Sequence, residues 1–158
     1  MKLARTGVIA AAVLSIATMA FAQKPDFSGT WTMDPASAPA PPAGGGAVRG
    51  VPGPMVVKQT ADDLTVERIA GESKIVSTYK LNGTESINKR TMGQMGEVEI
   101  KSKAKFDGAK LTITSLQPGR DGGAPVELTE TWSLEGGNLV IESTNPRGTQ
   151  KRIYKKNT

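Results

Sequence analysis

From residue 97 to residue 106 small or apolar side chains alternate with charged ones without a break. Val98, Ile100, Ser102, Ala104 and Phe106 share one parity, and Glu97, Glu99, Lys101, Lys103 and Lys105 the other. A period of two puts successive side chains on opposite sides of an extended chain, so this stretch predicts a strand with one dry and one wet face. The same alternation runs through 74–81, where Ile75, Ser77, Tyr79 and Leu81 oppose Lys74, Val76, Thr78 and Lys80. It returns at 126–134, where Val126, Leu128, Glu130, Trp132 and Leu134 share a face and Glu130 is the one acid on it. In the last predicted strand, 149–155, Gln150, Arg152 and Tyr154 share a face.

Shorter strand-like runs occupy 27–33, 55–59, 64–69, 85–90, 111–116 and 139–143. Turn signals separate them at 61–63, Gly71-Glu72, Asp107-Gly108, 136–138 and 145–148, with looser loops at 91–96 and 117–125. Asn82-Gly83 is a strong hairpin signal, because both residues tolerate positive φ. No segment has the period of an amphipathic helix. Sequential hairpins predict an all-β fold, an antiparallel up-and-down β-barrel of about eight to ten strands, since closure removes exposed sheet edges. Trp31 reads as a core plug at one end of that barrel, with Gly29 letting the backbone come close beneath it.

Two segments stand outside the alternation. Residues 36–54 carry Pro39, Pro41, Pro42, Gly44, Gly45, Gly46, Pro52, Gly53 and Pro54, a composition too poor in apolar surface to order itself. They predict a loop after the first strand, either a lid over the barrel mouth or a tolerated insertion. Residues 1–22 combine the basic Lys2 and Arg5, an apolar run at 8–20 and the small-x-small end Ala20-Phe21-Ala22. That is the layout of a cleavable secretory signal, with an uncleaved anchor as the alternative; the apolar run is short for a membrane span. The expected organisation is a signal peptide at 1–22 and a single β-barrel domain at 23–158, exported to the periplasm or secreted, with no stable membrane insertion after cleavage. No cysteine follows the apolar run, which excludes a lipid-anchored lipoprotein.

The chain holds no Cys and no His. Most zinc and copper sites, Ser-His-Asp triads and cysteine nucleophiles are thereby excluded. Asp62, Asp63, Glu130 and Tyr154 could supply acid–base chemistry, but no spacing singles out a pair, and acids are common in turns such as 61–63. The expectation is no enzyme, no catalytic residues, no metal and no cofactor. The formal charge of +5 falls to +3 once Lys2 and Arg5 leave with the signal. The charges are interleaved rather than clustered, so nucleic acid is not an expected partner. Lys151, Arg152, Lys155 and Lys156 make a short basic end, either a solvated terminus or a contact for an anionic surface.

Four short motifs carry a family resemblance. Phe27-Ser28-Gly29-Thr30-Trp31 resembles the first-strand Gly-x-Trp signature of the calycins, the lipocalins and fatty-acid-binding proteins. Phe106-Asp107-Gly108-Ala109-Lys110-Leu111 and Leu134-Glu135-Gly136-Gly137-Asn138-Leu139 resemble late turns of fatty-acid-binding proteins. Arg152-Ile153-Tyr154 resembles their Arg-x-Tyr, which clasps a fatty-acid carboxylate inside the barrel. The opening is also similar to that of many uncharacterised exported bacterial proteins. The resemblance implies a lipocalin-like barrel with Arg152 and Tyr154 as head-group ligands.

Two departures accompany it. Residues 36–54 stand where those proteins carry a helical lid, and 126–134 lacks their second inward arginine and offers Glu130 instead. Glu130 and Arg152 could pair, leaving no charge for a ligand. Two functions follow. One is an exported binding protein for a small apolar or amphipathic ligand, with Tyr79, Phe106 and Trp132 among the lining residues, Arg152 and Tyr154 orienting the polar head, and Glu130 as the acid of the same site. The other is a non-catalytic structural or protein-interaction barrel of the cell envelope with a filled core and an unknown partner. The low aromatic count, two Trp, two Tyr and three Phe, favours the second.

Overall fold

The alternating segments form the strands β1 (Gly29–Met33), β2 (Met55–Gln59), β3 (Asp63–Ala70), β4 (Ser73–Lys80) and β5 (Asn82–Thr91), then β6 (Glu97–Asp107), β7 (Lys110–Gln117), β8 (Val126–Glu135), β9 (Asn138–Asn145) and β10 (Gly148–Lys156). Each pairs antiparallel with its neighbours in the order β4-β3-β2-β1-β10-β9-β8-β7-β6-β5. The structure is a computed structural model, and it describes residues 24–38, 53–70, 73–92, 96–119 and 123–157. The predicted signal at 1–22 and positions 39–52 of the Pro/Gly stretch lie outside the described residues. The first strand meets the last, Trp31 opposite Lys156 and Met33 opposite Tyr154, so the meander curls into a nearly closed barrel. The all-β, up-and-down barrel predicted from the alternation is therefore the fold.

The alternation of β6 is realised as predicted. Ile100, Ser102 and Ala104 are buried, while Lys101, Lys103 and Lys105 are exposed. β8 departs from it at both ends: Val126 and Leu134 are exposed, because the strand runs past the packed interior there.

Asn82-Gly83 reverses the chain, with Gly83 at φ +84°, but β4 and β5 do not form the predicted hydrogen-bonded hairpin. The register of β5 on β6 slips between Asn82 and Glu85, and on the other edge of β5 its side chains bridge the seam to β4. The Thr78 amide donates to Asn88 Oδ1 (2.8 Å), and Asn88 Nδ2 donates back to the Thr78 carbonyl (3.0 Å). The Lys80 amide donates to Ser86 Oγ (2.8 Å). These bonds satisfy backbone groups that a ladder would otherwise take.

One end of the barrel is solid. Phe27 stacks on Phe106 at 6.2 Å and meets Trp132 edge-on at 5.9 Å. Trp31 Nε1 donates to the Phe27 carbonyl (2.9 Å). Gln59 ties the lead residues across the end: its Oε1 accepts from the Phe27 amide, and its Nε2 donates to the Pro25 carbonyl. The plug is thus Phe27, ahead of the first strand, with Trp31 in the layer above it. Gly29 serves another neighbour than the one expected. At φ +145° it leaves room for Lys156, whose Cε would lie 2.6 Å from a Cβ, and Lys156 Nζ sits 5.5 Å over the Trp31 ring.

Phe27→Ala removes an aromatic ring that is wholly buried. A loss of about 3–5 kcal/mol is expected, because the surroundings cannot collapse fully onto the cavity left behind. A urea titration checks it, with a lowered midpoint as the expected outcome.

Candidate ligand-binding site

Inward-facing side chains change character half-way along the barrel. On β8 the step is from Trp132 to Glu130, on β9 from Ile141 to Ser143, and on β7 from Ile113 to Ser115. The register aligns the steps of β8 and β9, Trp132 opposite Ile141 and Glu130 opposite Ser143, while on β7 the change falls one layer further on, with Ile113 opposite Glu130 and Ser115 opposite Leu128. β10 makes the same change from Tyr154 to Arg152, and β3 from Leu64 and Val66 to Arg68. The apolar layers form a floor in which Trp132, Leu64 and Leu111 are fully buried.

Above that floor lies a cavity of about 460 Å³. Its charged lining is Arg68, Arg90, Arg152 and Glu130; Tyr79 and Ser143 are among its neutral polar groups, and Val66, Ile75 and Leu128 are its aliphatic lining. It opens at the end from which the connections after β1, β3, β5, β7 and β9 depart. A second hollow of about 210 Å³ lies on the outer surface around Lys101, Lys103 and Thr114; Lys101 there lies 3.7 Å from Glu85.

The interior charges are not neutralised against one another. None of the three arginines forms an ion pair with a described carboxylate, and the anticipated pairing of Glu130 with Arg152 does not form. Arg152 Nη2 donates instead to Gln150 Oε1 (3.0 Å), its neighbour on the same face. Glu130 Oε2 accepts a long bond from Trp132 Nε1 (3.4 Å). Burial pushes the Tyr79 hydroxyl above its usual pKa of 10.0, and the Glu130 charge adds to the rise. A hydrogen bond with Ser77 and the charges of Arg68 and Arg90 oppose it. Ser102 and Ser115 satisfy one another at 2.8 Å, whereas the buried Ser143 hydroxyl has no partner.

Of the residues singled out from the sequence, the cavity brings together Arg152, Glu130 and Tyr79. Trp132 and Tyr154 belong to the packed interior. Tyr154 is on the face of Arg152 but one layer deeper, so the two do not share the cavity. Phe106 is at the opposite end, against Phe27, with Lys24 Nζ 5.3 Å from its ring centre. Sequence reasoning missed Arg68, Arg90 and Ser143. Arg68 is legible as the third member of the period-two series Leu64, Val66, Arg68, and Arg90 as the third of Ser86, Asn88, Arg90. Among the described residues no group of three or more carboxylates could hold a metal ion.

No protein-family model matches the chain. No curated protein matches it either. Solved structures do. A point mutant of the fluorescent protein UnaG matches with a TM-score of 0.58 at 23% identity, over 84% of this chain and 96% of that one. The fatty acid transporter REP1-NXSQ matches with a TM-score of 0.59 at 18% identity, over 83% of this chain and 96% of that one. At such identities the likeness is one of fold, and that fold is a calycin-like barrel.

The raised pKa of Tyr79 fixes a sign. A group that holds its proton more tightly in the folded state leaves stability intact below its unfolded pKa and removes it as pH rises through the folded value. Tyr79 therefore contributes a loss of stability beginning near pH 10.0 and growing above it. Tyr79→Phe is expected to flatten that alkaline decline and leave the neutral-pH midpoint nearly unchanged. Denaturant titrations on either side of the tyrosine range measure both.

Proposed function

We propose that this calycin-like barrel is an exported, non-catalytic binding protein that takes a small amphipathic anion into the open half of its interior. The observation that carries the reading is the cavity of about 460 Å³ into which three arginines and one glutamate project without pairing. The three arginines are half-buried at the cavity wall, and guanidinium groups in excess of carboxylate there favour an anionic occupant that can take their forked hydrogen bonds. Arg152 and Tyr79 would hold the head of such a ligand, and Leu128, Val66 and Ile75 its apolar body. The likeness to a protein described as a fatty acid transporter supports uptake of an amphipathic ligand. Export rests on the composition of residues 1–22. The rival reading, a filled structural barrel, suits the half floored by Trp132 and Phe27 and leaves the other half unexplained.

The probe 1-anilinonaphthalene-8-sulfonate tests this, being an amphipathic anion of the right class. Binding with a blue-shifted, enhanced emission is expected. Leu128→Trp, which fills the cavity from a half-buried wall position, should weaken that binding about tenfold or more while the far-ultraviolet circular dichroism stays the same. Emission that ignores Leu128→Trp would place the probe elsewhere and remove the proposal's support. Export is checked by N-terminal sequencing of the protein recovered from a bacterial periplasm, where a start at Gln23 is the expected result.

A further inference from the structure

We propose that the ligand is a polar dicarboxylate, short enough to lie across the mouth half of the barrel, rather than a single-chain fatty acid. The inference rests on the binding function above and specifies its chemistry.

The first observation is the floor. A hydrocarbon tail entering head-outward would need an apolar channel below the arginines. That volume is taken by Trp132, Trp31, Leu64 and Ile113, each no more than 1% exposed. Close-packed side chains of this kind do not make way for a chain without loss of the core itself. Apart from the Tyr79 ring, the cavity offers only Val66, Ile75 and Leu128 as apolar surface.

The second observation is where the charges stand. In the circular strand order β5 and β10 are five positions apart in a ring of ten, so Arg90 and Arg152 approach the cavity from opposite walls. Arg68, on β3, stands between them on the β4 side. One carboxylate satisfies one wall and leaves the other guanidinium unpaired in a confined space. Two separated carboxylates satisfy both, each in the forked geometry that arginine favours. Three guanidinium groups against Glu130 leave a surplus of two positive charges among the described lining residues, which a dianion cancels.

The third observation is Ser143. Its hydroxyl is buried and unpartnered on the cavity wall, level with Glu130. An unsatisfied buried hydroxyl costs free energy that a hydrogen-bonding ligand recovers. A hydroxyl or keto group between the two carboxylates supplies the missing bond. An alkyl chain does not.

Isothermal titration calorimetry with butanedioate, 2-hydroxybutanedioate and hexanedioate, each against the monoacid of equal length and against hexadecanoate, tests the inference. At least one dicarboxylate is expected to bind about tenfold more tightly than its monoacid, the size of one charge-assisted hydrogen bond. Arg152→Gln and Arg90→Gln should each erase that preference, and Arg152→Lys should restore part of it. The inference is overturned if no dicarboxylate binds, if diacid and monoacid bind alike, or if hexadecanoate binds more tightly than every diacid. In the last two cases binding in the barrel survives. Only the absence of cavity binding by 1-anilinonaphthalene-8-sulfonate and every acid would remove both.

Discussion

The Phe27 ring closes the barrel, and the position of everything above it follows. Phe27 precedes the first strand and crosses the open end of the sheet, where no ladder can cover the interior. Its ring lies parallel to Phe106 and on the edge of Trp132, so three aromatic bodies fill a space that a barrel of this size would otherwise leave to water. Gln59 holds the crossing segment by bonding on both sides of Asp26, to Pro25 and to Phe27. With that end sealed, Trp31 and Trp132 pack as a second tier, and the remaining hollow is confined to the other end.

Closure around the circumference is achieved differently at its two joins. β1 and β10 meet by a regular ladder, although they lie at opposite ends of the chain. β4 and β5 are consecutive in sequence yet share no ladder, and Asn88 and Ser86 fill the seam with their side chains. An amide side chain offers a donor and an acceptor together, so Asn88 can serve both backbone groups of Thr78 as a neighbouring strand would.

Period two reveals which face a side chain takes, and that much was legible in β4, β6 and the middle of β8. It carries no information on height along the barrel axis. Trp132, Tyr154, Phe106, Glu130, Arg152 and Tyr79 all point inward, as their parity implies. Only the last three reach the cavity, because the apolar-to-polar change falls between Trp132 and Glu130 on one strand and between Tyr154 and Arg152 on another. Arg68 and Arg90 escaped notice for a related reason. Each ends a series whose earlier members look ordinary, and a terminal arginine reads as solvated until its strand is known to line a cavity. Gly29 shows the limit at short range: its sequence neighbours point to a close backbone approach beneath Trp31, whereas the group it admits is the Lys156 side chain, from the far end of the sequence.

Floor and charge together restrict what the barrel can hold more than either does alone. A deep apolar barrel with one arginine suits a long chain with a single acidic head. Here the depth is spent on Trp31, Trp132 and Phe27, and the arginines are spread around the rim of what remains. Spreading like charges over opposite walls reduces their mutual repulsion, since Coulomb energy falls with separation. It also sets them to meet two separated anionic groups, one towards each wall. An occupant that neutralises this interior carries separated negative charge, with a hydrogen-bonding group to meet the Ser143 hydroxyl and a short hydrocarbon stretch against Val66, Ile75 and Leu128.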